Sequence, residues 1–236
     1  HESRITNHES RITNHESRIT HQIMPQRPDP KPRTIIISDY ISKGSVNEAM
    51  KSIFEINQSD DDRTELYQDW EREPIKLVLN TYGGSVYDGL GLISAMEMSQ
   101  TPVHTYAIGS AMSMGLFILA MGHQRFSAPY STIMYHQIST FAWDKLEGIK
   151  DQIKEAERLE KLMEGMLFDR TSVTSELIEP YKKEKREWYI DPTEAKKLGI
   201  VDEILTAGTG FHLPGKTNKA ARDANQSTGK KQSKKK

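Results

Sequence analysis

Between residues 34 and 205 the apolar positions alternate between short continuous runs and longer stretches at helical spacing. Thr34-Ile35-Ile36-Ile37-Ser38 reads as a buried strand. Ser45 and Glu48 form a capping-box pair, and Met50, Ile53 and Phe54 then repeat at helical spacing, which predicts a helix to about Asn57. An acidic loop is expected from Asp60 to Glu73. Ile75 to Leu79 is the next strand, closed by Asn80-Thr81-Tyr82-Gly83-Gly84, a turn that leads into a helix bearing Leu90, Ile93 and Met96. The same strand, turn and helix recur from Val103 to Gly122, with the strand at Val103 to Ile108, and Thr132 to Tyr135 forms another β-like run. Alternation of this kind predicts an α/β domain with a largely parallel sheet, whose strand ends carry the functional loops.

From Asp144 to Arg170 the chain reads as one long helix. Leu146, Ile149, Ile153, Ala156, Leu159, Met163 and Met166 make a stripe at steps of three and four, narrow enough for a helix seam. Lys, Glu and Gln fill its other faces, so the helix is expected to project and pair with another subunit; a simple surface helix fits the same periodicity. Asp191 caps a short helix with Pro192 at its first position, ending at Leu198-Gly199, and Ile200 to Leu205 is the last strand.

The flanks differ in character. Residues 1–33 comprise a polar repeat of His-Glu-Ser-Arg-Ile-Thr-Asn and a Pro-rich linker, residues 34–206 the folded domain, and residues 207–236 a basic tail. From Lys216 to Lys236 eight Lys and Arg residues face one acid, Asp223, in a chain whose formal net charge is −1, so the tail reads as a solvated extension rather than a nucleic-acid arm. The absence of cysteine excludes disulfides, thiolate zinc sites and a cysteine nucleophile. The longest apolar stretch, Met112 to Met121, is too short to span a bilayer, which takes about 20 residues. A soluble, cytoplasmic protein with no membrane partner is expected.

Candidate chemistry centres on Gly109-Ser110-Ala111-Met112-Ser113-Met114-Gly115, which joins a strand to an apolar helix and lifts a serine to a sheet edge. Ala111 breaks the strict G-x-S-x-G elbow, so the α/β-hydrolase motif is not met. Ser113 is the candidate nucleophile and Ser110 the weaker rival. Among the histidines, His104 lies within a strand and His123 in a helix-to-strand loop, whereas His136 sits at a strand end, where a general base is presented. Gly83-Gly84 suits a backbone that turns tightly and aims N–H groups at an anion. Gly84 and Met114 would then supply the oxyanion N–H donors.

These serine, histidine and glycine segments, in this order, resemble the Clp protease proteolytic subunit family, and a divergent phage-type member of it. The resemblance covers about Thr34 to Leu205. It implies a crotonase-like (ClpP-type) fold of stacked ββα repeats with a protruding handle helix, Asp144 to Arg170, and a serine endopeptidase acting on unfolded proteins inside a homo-oligomer, stacked heptamers with a possible ATP-dependent unfoldase partner. It implies Ser113 as nucleophile, His136 as base, an oxyanion loop at Asn80 to Gly84, and substrate contacts at Gly83, Ser85, Ile138 and Ser139. The third triad position falls on Glu187, where the family has an aspartate; Glu184 and Asp191 are the alternatives. After His136 the family's glycine-rich segment is replaced by Ile138-Ser139-Thr140-Phe141-Ala142-Trp143, which is expected to narrow the groove.

No cofactor or metal is expected. Gly210 to Thr217 matches the phosphate-loop pattern, but no buried strand precedes it and no apolar-faced helix follows, so nucleotide binding is not expected. Two other functions fit the same segments: acyl-CoA hydration or isomerisation, where the oxyanion donors hold a thioester, and an inactive ring scaffold.

Overall fold

The computed structural model describes residues 32–67, 70–139 and 144–206. The repeat tail and the linker before Pro32, Thr140 to Trp143, and the basic tail with its phosphate-loop-like motif lie outside the described residues.

The chain runs β1 (Thr34–Ile37), α1 (Lys43–Leu66), β2 (Ile75–Thr81), α2 (Val86–Glu97), β3 (Val103–Met112), α3 (Met114–Ala120), β4 (Arg125–Ser127) and β5 (Thr132–Tyr135). It continues through α4 (Leu146–Arg170), α5 (Ser175–Glu184), β6 (Trp188–Ile190), α6 (Pro192–Lys197) and β7 (Glu203–Ile204). The sheet has the order β1-β2-β3-β4-β7, with β5 joined to β3 and β6 joined to β5. Every pairing is parallel except β5 with β6. This is an α/β fold with a parallel sheet, as the strand and helix alternation predicts.

Strand β3 changes neighbours along its length. Thr105 to Ala107 pair with β4, and Ser110 to Met112 pair with β5. The second half of β3, read from sequence only as a turn, is therefore strand, and it sets β5 beside the serine segment. All seven residues of α3 are buried, and Leu116, Ile118 and Leu119 have no exposure at all. This helix is a core element whose burial fixes the turn before it.

Helix α1 is longer than its sequence signals. Ser42, not Ser45, is the N-cap, with Ser45 at the third position completing the capping box, and the helix continues to Leu66, into the stretch from Asp60 to Glu73 expected to be an acidic loop. The reason is an inward charge. Asp60 is 0% exposed and forms a bidentate ion pair with Arg33, with Thr101 donating a further bond at 2.7 Å. Burial alone would push the Asp60 carboxyl up, but the bonds from Arg33 and Thr101 and the charges of Arg33 and Arg72 outweigh it and hold it below the usual carboxylate range. Asp60→Asn therefore lowers stability by about 3 kcal/mol at neutral pH, because Arg33 is left buried without its charge partner. A depressed folded-state value means that this contribution is complete above the unfolded value of about 3.9 and fades as pH falls through the folded one. Urea midpoints of the two proteins should differ at pH 7 and converge at low pH.

In α4 the buried residues are Leu159, Met163 and Leu167, all in its second half, while Leu146 and Ile153 are exposed. The stripe is thus used within this chain only from Leu159 onward. No described helix is long and apolar enough to cross a membrane.

Candidate active site

The Ser113 turn has a strained backbone. Ser113 has φ 52° and ψ −122°, one of two non-glycine residues with positive φ among those described. An L-residue holds that conformation only where its surroundings over-determine it. Here Ser113 N–H donates to the Met134 carbonyl at 2.8 Å, its own carbonyl accepts from Leu116 N–H at 3.0 Å, and α3 is locked in the core. The strain is anchored on both sides.

Parallel pairing of β3 with β5 then delivers the candidate base, His136. Met112 lies opposite Met134, so Ser113 and His136 leave the same edge of the sheet one and two residues farther on. His136 Nε2 is 2.8 Å from Ser113 Oγ. The other ring nitrogen, Nδ1, bonds the Gln137 carbonyl. A carbonyl only accepts, so Nδ1 carries a proton, and in the neutral ring Nε2 is then the acceptor for the serine hydroxyl. That tautomer suits proton abstraction.

The glycine turn closes the opposite side. Thr81 Oγ1 accepts from Gly83 N–H at 3.1 Å, and Asn80 Oδ1 accepts from both the N–H and the hydroxyl of Ser110, at 3.0 and 3.2 Å. Ser110, the rival serine, is thus occupied in holding the two turns together. Gly83 and Gly84 have φ 102° and 149°. A β-carbon on Gly83 would lie 2.6 Å from that of Ser113, and one on Gly84 would lie 2.2 Å from the Ile41 carbonyl oxygen. Met114 is the first residue of α3, so its N–H has no acceptor within the helix. Among the described residues neither Gly84 N–H nor Met114 N–H has a hydrogen-bond acceptor.

The remaining histidines have structural surroundings. His123 Nδ1 accepts from Val103 N–H at 3.1 Å, and His104, its basicity lowered first by burial, packs against Phe126. Among the candidate acids, Asp191 caps α6 by accepting from Glu194 N–H at 2.9 Å, and Glu184 pairs with Arg186 at 2.6 Å. The β5–β6 ladder ends on the pair Tyr135 and Trp188, which makes His136 and Glu187 the next residues outward on their strands. The Glu187 carboxylate nevertheless accepts from the Tyr189 hydroxyl, and the structure does not bond it to His136.

Ser113 and His136 open onto a cavity of about 260 Å³ whose walls include Gly84, Phe117, Tyr135, Met163, Glu160 and Glu164. A second cavity, about 560 Å³, adjoins Gly84 and runs past Ser85, Ile138 and Ser139 along the first half of α4. The sequence left the cavity walls on α4 unassigned. Their signal was Glu160 and Glu164 one helical turn apart, flanking Met163 of the apolar stripe. Behind them Lys182 Nζ reaches Glu164 at 2.7 Å and Glu160 at 3.4 Å, and the buried Tyr135 hydroxyl donates to Glu164 at 2.8 Å. Burial and the Glu164 bond push the Tyr135 phenol up, so it remains a donor. Burial opposes the Lys182 charge, but the hydrogen bond and charge of Glu164, then of Glu160, outweigh it and hold the ammonium protonated. Among the described residues no group of three or more His, Cys, Asp and Glu side chains could hold a metal ion.

The family model described as Clp protease matches residues 30–208. The chain is 31% identical over 175 residues to the ATP-dependent Clp protease proteolytic subunit 2 of Synechococcus sp. (strain CC9605), covering 73% of this chain and 83% of that protein. It is 30% identical over 175 residues to the ATP-dependent Clp protease proteolytic subunit 1 of Prochlorococcus marinus (strain MIT 9312), covering 73% of this chain and 84% of that one.

Proposed function

Because the chain belongs to the Clp protease proteolytic subunit family, we propose that it is a serine endopeptidase with Ser113 as nucleophile and His136 as general base. The observation that carries this reading is the 2.8 Å contact between Ser113 Oγ and His136 Nε2 on a strained, core-anchored turn. Ser113 Oγ attacks the peptide carbonyl carbon as its proton passes to His136 Nε2. The carbonyl oxygen takes the negative charge and receives the Gly84 and Met114 N–H groups. His136 returns the proton to the departing amine, the C–N bond breaks, and water hydrolyses the acyl-enzyme by the reverse route. Extended substrate lies along Gly83, Ser85, Ile138 and Ser139.

Glu187 is the acid that steadies the imidazolium, turning from Tyr189 to the neighbouring His136 when substrate binds. Glu187→Ala lowers kcat by at least about 10²-fold. Glu187→Asp should restore most of that loss, a rescue that a merely structural glutamate would not show. Stopped-time hydrolysis of a fluorogenic peptide by the three proteins checks it.

By family, the working form is a homo-oligomer, built as stacked heptamers through the exposed half of α4, that receives unfolded protein from an ATP-dependent unfoldase. A second reading, a silent ring subunit, is favoured by one observation: the imidazole is held by the Gln137 carbonyl rather than by a carboxylate. A fluorophosphonate probe separates the two. A single adduct on Ser113 supports the peptidase, and an unlabelled protein supports the silent subunit.

A further inference from the structure

The cavity beside Ser113 and His136 carries an unbalanced charge. Glu160 and Glu164 line it, whereas Lys182, the cation that pairs with both, is not among its lining residues. Two carboxylates against one ammonium leave one net negative charge at the wall. The carboxylates also keep unused acceptors. Glu164 Oε1 takes both the Tyr135 hydroxyl and Lys182, leaving Oε2 without a described hydrogen bond. Glu160 Oε2 has only long contacts, 3.4 Å to Lys182 and 3.4 Å to Gln137 Nε2, and its buried Oε1 has no partner among the described residues. A carboxylate with a buried oxygen that lacks a donor is costly to keep charged, and a cation in the cavity beside it offsets that cost. The upper walls, Phe117, Tyr135 and Met163, are apolar or aromatic and suit the methylene stem of a long side chain.

Resting on the peptidase reading, we infer that this cavity receives the substrate side chain on the acyl side of the scissile bond and selects a basic one, Arg or Lys, through Glu160 and Glu164. A guanidinium or ammonium supplies both the positive charge and the donors that the wall lacks. An acidic side chain meets like charge, and an apolar one leaves the free oxygens unpaired.

The test uses the full chain and three fluorogenic peptides identical except for Arg, Leu or Glu on the acyl side of the cleaved bond. Wild type should show kcat/KM for Arg about tenfold or more above Leu, and Glu lowest, the size of one charge-assisted hydrogen bond. Glu160→Gln keeps the shape of the side chain and should reduce the Arg-to-Leu ratio about tenfold; Glu164→Gln should reduce it as well. Cleavage of the Leu peptide at least as fast as the Arg peptide by wild type overturns this inference and leaves the peptidase standing. An unchanged ratio in both variants overturns the role of the two carboxylates. Failure to cleave any of the three peptides, with no fluorophosphonate adduct on Ser113, overturns both readings.

Discussion

Ser113→Ala lowers peptide turnover by about 10⁴- to 10⁶-fold, with no change in the thermal midpoint beyond about 2 °C. The size follows from the chemistry. Without Oγ no acyl-enzyme forms, and what remains is whatever the oxyanion donors and binding give to direct attack by water. The neutral stability follows from the turn, because its backbone is held by the Ser113 N–H to Met134 and the Ser113 carbonyl to Leu116, while the one bond lost, from the hydroxyl to the half-buried His136, is replaced by water. Alanine has the same β-carbon and meets the same positive-φ cost. Turnover, fluorophosphonate labelling and a thermal melt on one preparation decide the matter. Hydrolysis that persists at a tenth of the wild-type rate would falsify the assignment of Ser113, and a large fall in melting temperature would show that the hydroxyl has a structural duty as well.

Gly83→Ala has the second large effect, and it reaches both stability and rate. The new β-carbon would stand 2.6 Å from Ser113 Cβ, 2.8 Å from the Met112 carbonyl oxygen and 3.2 Å from Met114 N. All three neighbours belong to the nucleophile turn and none is the far end of a flexible side chain. The position also has φ 102°, where an L side chain costs about 1–3 kcal/mol. Relief requires the glycine turn and the serine turn to separate, which displaces Gly84 from Met114, the two proposed oxyanion donors. We expect a stability loss of at least about 2 kcal/mol and a fall in kcat of at least about 10²-fold, since loss of one oxyanion donor alone costs that much. Gly91 is the control: a β-carbon there meets no atom within 4 Å, so Gly91→Ala should match wild type in kcat. Equal kcat for Gly83→Ala and wild type would remove the glycine turn from the mechanism.

Local pattern revealed the strands and turns that present the site. A buried isoleucine run, a glycine pair after a strand and a small-residue turn before an apolar helix each state their structure within a few residues. Their products, the Ser113 turn, the Gly83-Gly84 turn and the strand ending at Tyr135 just before His136, are all present in the fold. What escaped were features made by partners far apart in the chain. Helix α1 was cut short because Asp60 reads as a loop residue until Arg33, 27 positions away, is known to meet it. Strand β6 is three residues long and antiparallel to β5, and nothing in Trp188-Tyr189-Ile190 alone declares that pairing. The charged cavity wall was equally hidden, because Lys182 reaches Glu164 across 18 positions from a different helix. Glu187 was legible as the position beside His136 on the β5–β6 ladder, but its bond from the Tyr189 hydroxyl was not, since spacing does not encode which way a side chain turns.

The ladder between β3 and β5 has a further consequence for the chain as it is being made. Ser113 and His136, the proposed nucleophile and base, are 23 residues apart in sequence, and in that reading each is harmless without the other. A growing polypeptide that has emerged through the serine but not yet through the imidazole carries an inert alcohol. So does one in which the two strands have yet to zip. On the peptidase reading, cutting power therefore appears only after both segments have been made and β3 has paired with β5.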